Sequence, residues 1–378
     1  MRLTIAALVL VVYIVASLIW RLPCRLWAKI ALGCVVLVVG SKFMLYEIIG
    51  GSFIAPDFPF ALLLTMECLY CAMVILAFLL LVKDCLGLLL WIGRRLGGSW
   101  RLPLTPALRG GGLCGLALAL AILGMWQSMR PPSVHTVDIP VPGLPPELDG
   151  LAIVQLSDLH IGPLLKKAAW VQQVVNTTNA LDADLVVLTG DMVDGAPQAL
   201  RRDIAPLRNL HARYGVYGIT GNHEYYSGVR QWLPAFSDLG IVMLLNEYRT
   251  VAVQGKNLIL AGVPDQVAPR FGEAGPDYGL LPTLPDGIRV LLQHRPSGAP
   301  GKSGIDLQLS GHTHGGQLFF LQWLVALFNG GLVEGLYNLD GTTLYVSTGT
   351  GIWAGFSCRI GVPSEIARII LRRPQARI

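Results

Sequence analysis

Leu185-Val186-Val187-Leu188-Thr189-Gly190-Asp191-Met192-Val193-Asp194 decides how the second half of this chain is read. Five residues rich in β-branched types predict a short buried strand. A glycine then lets the backbone turn, and two acids follow. The same order recurs along the chain. Residues 151–156 run into Ser157-Asp158-Leu159-His160, and 216–220 into Gly221-Asn222-His223-Glu224. Residues 289–293 run into His294-Arg295-Pro296, and 307–310 into Gly311-His312-Thr313-His314-Gly315-Gly316-Gln317. Two more apolar runs lie at 258–263 and 343–347, and helical patterning at 165–181 and 198–213 separates strands. Alternating short strands and helices predict an α/β domain with its polar fragments just past strand ends, where open α/β sheets place their chemistry.

Five of the seven histidines fall in these fragments, among Asp, Asn and Gly residues. His135 and His211 lie outside them and read as surface or packing residues. In extended backbone, residues two apart point the same way, so Asp158 and His160 can reach one ion, and so can His312 and His314. Carboxylate and amide oxygens with imidazoles and no thiolate suit Mn, Fe or Zn rather than a structural zinc cluster. Two such ions can share a bridging carboxylate and clamp both oxygens of an in-line phosphoryl displacement.

In this order the five fragments resemble the calcineurin-like metallophosphoesterases, whose blocks read Asp-x-His, Gly-Asp-x-x-Asp, Gly-Asn-His-Glu, His and Gly-His-x-His. The resemblance spans residues 134–375, and the segments 335–337, 344–347 and 363–366 are similar to its YkuE/YaeI-type branch. That branch includes transmembrane proteins with a metallophosphoesterase domain. The resemblance implies a two-sheet β-sandwich flanked by helices over 151–378 and two divalent metal ions. It implies that Asp158, His160 and His314 hold the first ion, that Asn222, His294 and His312 hold the second, and that Asp191 bridges them. His223 would contact the phosphate and protonate the leaving oxygen, while attack comes from a metal-bound hydroxide. Asp194 and Glu224 would orient ligands from behind.

Residues 1–130 have a different character. Leu, Val, Ala and Ile dominate, and Lys and Arg outnumber Asp and Glu by 11 to 4, against 18 to 20 in the remainder. The net charge of +5 therefore belongs to the apolar half. It does not point to nucleic acid, for which no basic stripe with interleaved aromatics exists. Apolar stretches at 3–20, 60–82 and 110–129 are long enough to cross a bilayer. A fourth, at 30–49, carries Lys42 and Glu47, and Glu67 interrupts the third. These charges are costly in lipid. A Lys42–Glu67 pair would make them structural rather than a transport path. The first stretch lacks a small-residue cleavage site and reads as an uncleaved anchor. Six of the seven cysteines lie in this half, where they read as packing residues, Cys68 and Cys71 included.

Between these stretches, Arg21, Arg25 and Lys29 form one basic loop, and Lys83, Arg94, Arg95, Arg101 and Arg109 another. The loop at 50–59 holds Asp57 and no base. The positive-inside rule makes the two basic loops cytoplasmic, so four spans place the catalytic domain outside the cytoplasm of a multi-pass protein of the cell (inner) membrane. A proline-rich linker with a strand at 134–139 joins the halves over 131–150.

The expected activity is hydrolysis of phosphodiester or pyrophosphate bonds in a lipid or cell-envelope substrate, with membrane lipid as the other partner. Residues 318–328, apolar but for Gln322, read either as a core helix or as exposed surface suited to lipid. Cleavage of UDP-2,3-diacylglucosamine in lipid A synthesis is an alternative, but its cytoplasmic substrate conflicts with this topology. A membrane scaffold or transporter with a regulatory phosphoesterase domain is the alternative of another class.

Overall fold

The computed structural model describes residues 2–99, 105–162, 164–296 and 304–374. Arg101, counted above among the basic loop residues, lies outside them. The chain divides into two compact units, Met1–Gln127 with Gly355–Cys358, and Ser128–Ala354 with Arg359–Ile378.

The first unit is helical: α1 (Arg2–Ser17), α2 (Leu26–Gly40), α3 (Lys42–Ile48), α4 (Phe60–Arg95) and α5 (Pro106–Met129). Among the described residues three helices are long and apolar enough to cross a membrane. The expected span at 30–49 is instead two helices, α2 and α3, bent by 61° at a break, and makes a fourth span only if that pair counts as one. Lys42 follows the break directly. It is fully buried, with Nζ 2.9 Å and 3.0 Å from the two carboxylate oxygens of Glu67 on α4, as the sequence suggested. The third expected stretch, 60–82, also differs, because α4 continues for 36 residues to Arg95. Asp84, which the sequence would place beyond the span, accepts a hydrogen bond from Tyr13 of α1 at 2.9 Å and pairs with Lys83 at 3.0 Å. These partners let the helix run on through its charges.

The second unit contains β1 (Ser133–Pro140), β2 (Ala152–Leu156), α6 (Ala168–Asn179), β3 (Leu185–Thr189), α7 (Pro197–Ile204), β4 (Val216–Ile219), α8 (Asn222–Tyr226) and α9 (Val229–Asp238). It continues with β5 (Val242–Met243), β6 (Glu247–Val253), β7 (Lys256–Gly262), β8 (Ile288–Leu292), β9 (Leu307–Ser310), α10 (Gln322–Phe328), β10 (Gly335–Leu339), β11 (Thr342–Val346) and β12 (Glu365–Arg372). Among the described residues twelve strands form two six-stranded sheets, ordered β1-β12-β2-β3-β4-β5 and β10-β11-β9-β8-β7-β6. β2, β3 and β4 are parallel neighbours, as are β7, β8 and β9, so the segments that follow them leave each sheet from one edge.

β2 and β3 are buried at every residue, which is why they read as unbroken apolar runs. Their alternation divides two cores. Ile153, Leu185 and Val187 pack with Leu258, Leu260, Val290 and Leu309 of the second sheet. Val154, Val186 and Leu188 pack with Val171, Val174 and Val175 of α6 and Trp232 and Phe236 of α9. The expected helix at 198–213 is shorter than its pattern: α7 ends at Ile204, and the chain tightens into a 3-10 turn, Ala205–Asn209, carrying Pro206. A proline there cannot supply the N–H that α-helix continuation needs.

Trp232 is completely buried, stacks on Phe236 at 5.2 Å and donates its indole N–H to the Gly195 carbonyl at 3.0 Å. Trp232→Ala should destabilise the domain by about 3–5 kcal/mol. Denaturant titration of the purified protein checks this, and a change below about 1 kcal/mol would contradict the packing described.

Candidate metal centre

The five fragments meet beyond these strand ends. After β2 and β3 their loops are joined by backbone: the Asp158 N–H donates to Gly190, His160 to Asp191 and Ile161 to Met192, all at 2.9–3.0 Å. Asp158, His160, Asp191, His312 and His314 all have positive φ, between 46° and 71°. That conformation is costly for residues with a Cβ, and it persists where the surroundings over-determine it, commonly at functional sites. Gly190 lies at φ +88°, and a Cβ there would come within 2.7 Å of Gly221 Cα, so only glycine permits this approach of the two loops.

Two triads of donor atoms result. Asp158, His160 and His314 form one, and Asp191, His294 and His312 the other, with the atoms of each within 4.8 Å of one another. Within each triad the rings converge: His160 Nε2 lies 3.1 Å from His314 Nε2, and His312 Nδ1 lies 3.2 Å from His294 Nε2. Ring nitrogens that face each other at such distances without an intervening acceptor suit a shared cation. His160, Asp191 and His223 also satisfy the distance condition. Asn222 is buried beside the second triad. The donor set of carboxylates and imidazoles, with no thiolate, fits divalent ions. Calcineurin-like phosphoesterases are dimetal enzymes, and these clusters match that requirement.

The residues behind the triads fix their orientation. The Asp194 carboxylate accepts from His160 Nδ1 at 3.0 Å and from His223 Nδ1 at 2.6 Å. That assignment leaves Nε2 of both rings directed inward. His294 Nδ1 donates to the Thr189 carbonyl at 2.8 Å, which leaves its Nε2 3.2 Å from Asp191. Glu224 accepts from the backbone N–H groups of Asp191, Met192 and Gly221 at 2.6–2.9 Å and thereby shapes the turn that presents Asp191.

The electrostatics follow from burial opposed by charge. Burial works against ionisation of Asp191, but the His294 and His223 rings hold it well below the usual carboxylate range. Burial likewise opposes the charge on Asp194, and His160 and His223 draw it down to about 2. Burial and the Asp191 charge lift Glu224 to about 7. Burial disfavours a charged His223, yet Asp191 and Asp194 raise it to about 9. His312 is pushed well down by burial and by His294, and His314 by burial and His160. Both rings therefore offer neutral lone pairs, the form a cation requires.

Several neighbours escaped the reading of the sequence. Arg295 donates to Asn222 Oδ1 at 3.1 Å and pairs with buried Asp265 at 2.8 Å, although its place beside His294 was the one available signal. Tyr226 and Trp353 flank the His223 ring, with centroids 5.4 Å and 6.0 Å away. Arg359 is buried and donates to the carbonyl oxygens of His314, Thr348 and Gly351. Residues 347–351 lie in a loop in which the Gly349 N–H donates to Ser347 Oγ at 3.1 Å.

A family model of the calcineurin-like phosphoesterases matches residues 151–316. The chain is 33% identical over 372 residues to a transmembrane protein with metallophosphoesterase domain from Bos taurus, covering 92% of this chain and 81% of that protein. It is 35% identical over 373 residues to the Danio rerio protein of the same name, covering 93% and 82%. It is also 31% identical over 242 residues to the uncharacterized metallophosphoesterase YkuE of Bacillus subtilis, covering 61% and 82%. Similarity that extends through the apolar helices as well as the metal-centre loops places this protein in the calcineurin-like metallophosphoesterase family, as a metal-dependent phosphoesterase of the membrane.

Proposed function

We propose that this protein is a membrane-anchored dimetal phosphoesterase that hydrolyses phosphodiester or pyrophosphate bonds of a lipid-linked or cell-envelope substrate. The observation that carries this reading is the pair of donor triads side by side, buried but for the half-buried His312, each containing a carboxylate and two imidazoles. In it, Asp158, His160 and His314 hold one divalent ion, Asn222, His294 and His312 hold the other, and Asp191 bridges them. The ions are Mn, Fe or Zn, and when bound they activate water and neutralise phosphoryl charge.

The chain's own residues do the remainder. Asp194 holds the His223 ring by Nδ1, and His223 delivers a proton from Nε2 to the departing oxygen. Tyr226 and Trp353 limit how far that ring can turn, since both pack against it. Arg295, anchored by Asp265, keeps a positive charge at Asn222, where phosphate oxygens would gather.

A lipid-linked substrate is supported by α10. We read 319–328 as surface and not core, because neither α10 nor the preceding 3-10 turn buries a residue, while Leu318 before them is fully buried and anchors the run. Trp323, Leu327 and Phe328 are 66–76% exposed. The helix is attached to the metal-centre segment, because Gln322 Nε2 donates to the Gly315 carbonyl at 3.1 Å and to Glu334 at 2.9 Å. A contiguous apolar surface fixed next to His314 suits acyl chains better than a water-soluble phosphoester.

Residues 1–130 form the membrane region in this reading, 131–150 the linker and 151–378 the catalytic domain. Counting α2 and α3 as one span gives four. The basic segments at 21–29 and 83–109 then face the cytoplasm of the cell (inner) membrane, with the catalytic domain outside.

Asp191→Asn should lower hydrolysis of bis(p-nitrophenyl) phosphate about a thousandfold, together with bound metal measured by plasma mass spectrometry. His223→Ala should lower kcat about 10²- to 10⁴-fold while leaving metal content intact, and loss of metal in that variant would make His223 a ligand instead. Trp323→Ser with Phe328→Ser should impair a diacyl phosphoester in mixed micelles about tenfold or more and spare the soluble diester. Equal loss on both would remove the lipid reading. A C-terminal alkaline phosphatase fusion should be active and a green fluorescent protein fusion dark. The reverse would place the domain in the cytoplasm and favour the UDP-2,3-diacylglucosamine alternative.

A further inference from the structure

Gly355–Cys358 belongs to the helical unit although the residues on both sides belong to the catalytic one. All four residues have a partner there. Lys42 Nζ donates to the Gly355 carbonyl at 2.6 Å, in addition to pairing with Glu67. Phe356 meets the Tyr70 ring edge-on, with centroids 6.3 Å apart. The Ser357 backbone N–H donates to the Glu67 carboxylate, and Cys358 is hydrogen-bonded to Cys71. Lys42 and Glu67 are each fully buried, so the ion pair is costly unless its remaining donors and acceptors are matched. The two backbone groups of this segment, with Tyr46 Oη at 3.2 Å from Glu67, supply that match.

The flanks of the segment reach the metal centre within the catalytic unit. Trp353, two residues before it, packs on His223. Arg359, immediately after it, is 1% exposed and holds the His314 carbonyl at 3.2 Å. A short loop held in its middle and touching two site histidines at its ends has little freedom to place them elsewhere.

We propose that Lys42 and Glu67 are positioning residues for the phosphoesterase site. The buried pair clamps Gly355–Cys358, and the clamp fixes Trp353 against His223 and Arg359 against His314. The pair thus serves catalysis from the helical unit without touching substrate. This inference rests on the phosphoesterase reading for its activity readout, and on nothing beyond the contacts above for its structural one.

The test uses the full-length protein in nanodiscs with Mn²⁺ and bis(p-nitrophenyl) phosphate, alongside hydrogen–deuterium exchange. Lys42→Met and the gentler, isosteric Glu67→Gln are compared with Asp84→Asn, which disturbs the Tyr13–Lys83–Asp84 cluster of the same unit but not the clamped segment. The clamp variants should lower kcat roughly 10- to 100-fold, with a smaller change in KM. They should speed exchange across 349–362 while β2 and β3 stay protected, and Lys42→Arg should recover part of the activity. Asp84→Asn should do neither. Wild-type kcat and exchange in Glu67→Gln would overturn the proposal, as would the same losses in Asp84→Asn. An inactive wild type would count against the phosphoesterase reading instead, and exchange across 349–362 alone would then decide the clamp.

Discussion

Left-handed backbone at Asp158, His160, Asp191, His312 and His314 is the constraint on which the rest of the catalytic unit depends. Each such residue costs of order 1 kcal/mol or more relative to a relaxed turn. Five of them in one place need a rigid surrounding, and two features supply it. The sheets bury Ile153, Leu185 and Val187 against Leu258, Leu260 and Val290, so the strand ends cannot shift independently. The loops after β2 and β3 then exchange backbone hydrogen bonds from Asp158 to Met192, so neither can relax alone. The strained turns present carboxylates and imidazoles inward, a direction that relaxed loops of the same sequence would not impose.

Once the turns are set, charge does the selecting. Four carboxylates, Asp158, Asp191, Asp194 and Glu224, are buried among four or more imidazoles, an arrangement that proton sharing alone satisfies poorly. Asp194 takes Nδ1 of both His160 and His223 and so directs Nε2 of each ring inward. His160 and His223 both lie within reach of Asp191 in one donor group, and His223 also packs against Tyr226 and Trp353.

Much of this was legible in the residues. β2, β3, β4, β7, β8, β9 and β11 announced themselves as short apolar runs because most of their residues are buried, and the five polar fragments follow in the order the family requires. β6 was not legible, since Glu247–Val253 lies at a sheet edge and buries only Val251 and Val253, so its first half reads as polar loop. Nor was β12, whose place between β1 and β2 pairs Ala367 with His135 and Gln155, more than 200 residues away. Local pattern carries no information about such pairings. The Lys42–Glu67 pair was legible as a possibility because a buried charge demands a partner. Arg359 was invisible for the opposite reason: its acceptors are backbone carbonyls, which leave no mark in sequence.

The central claim is that one buried centre holds two ions between Asp158 and His312. Anomalous diffraction from crystals of the full-length protein grown with Mn²⁺ tests it most directly. The account predicts two peaks about 3.5–4 Å apart, with Asp191 reaching both, His294 and His312 at one and His160 and His314 at the other. A single peak, or none among these residues, would contradict it.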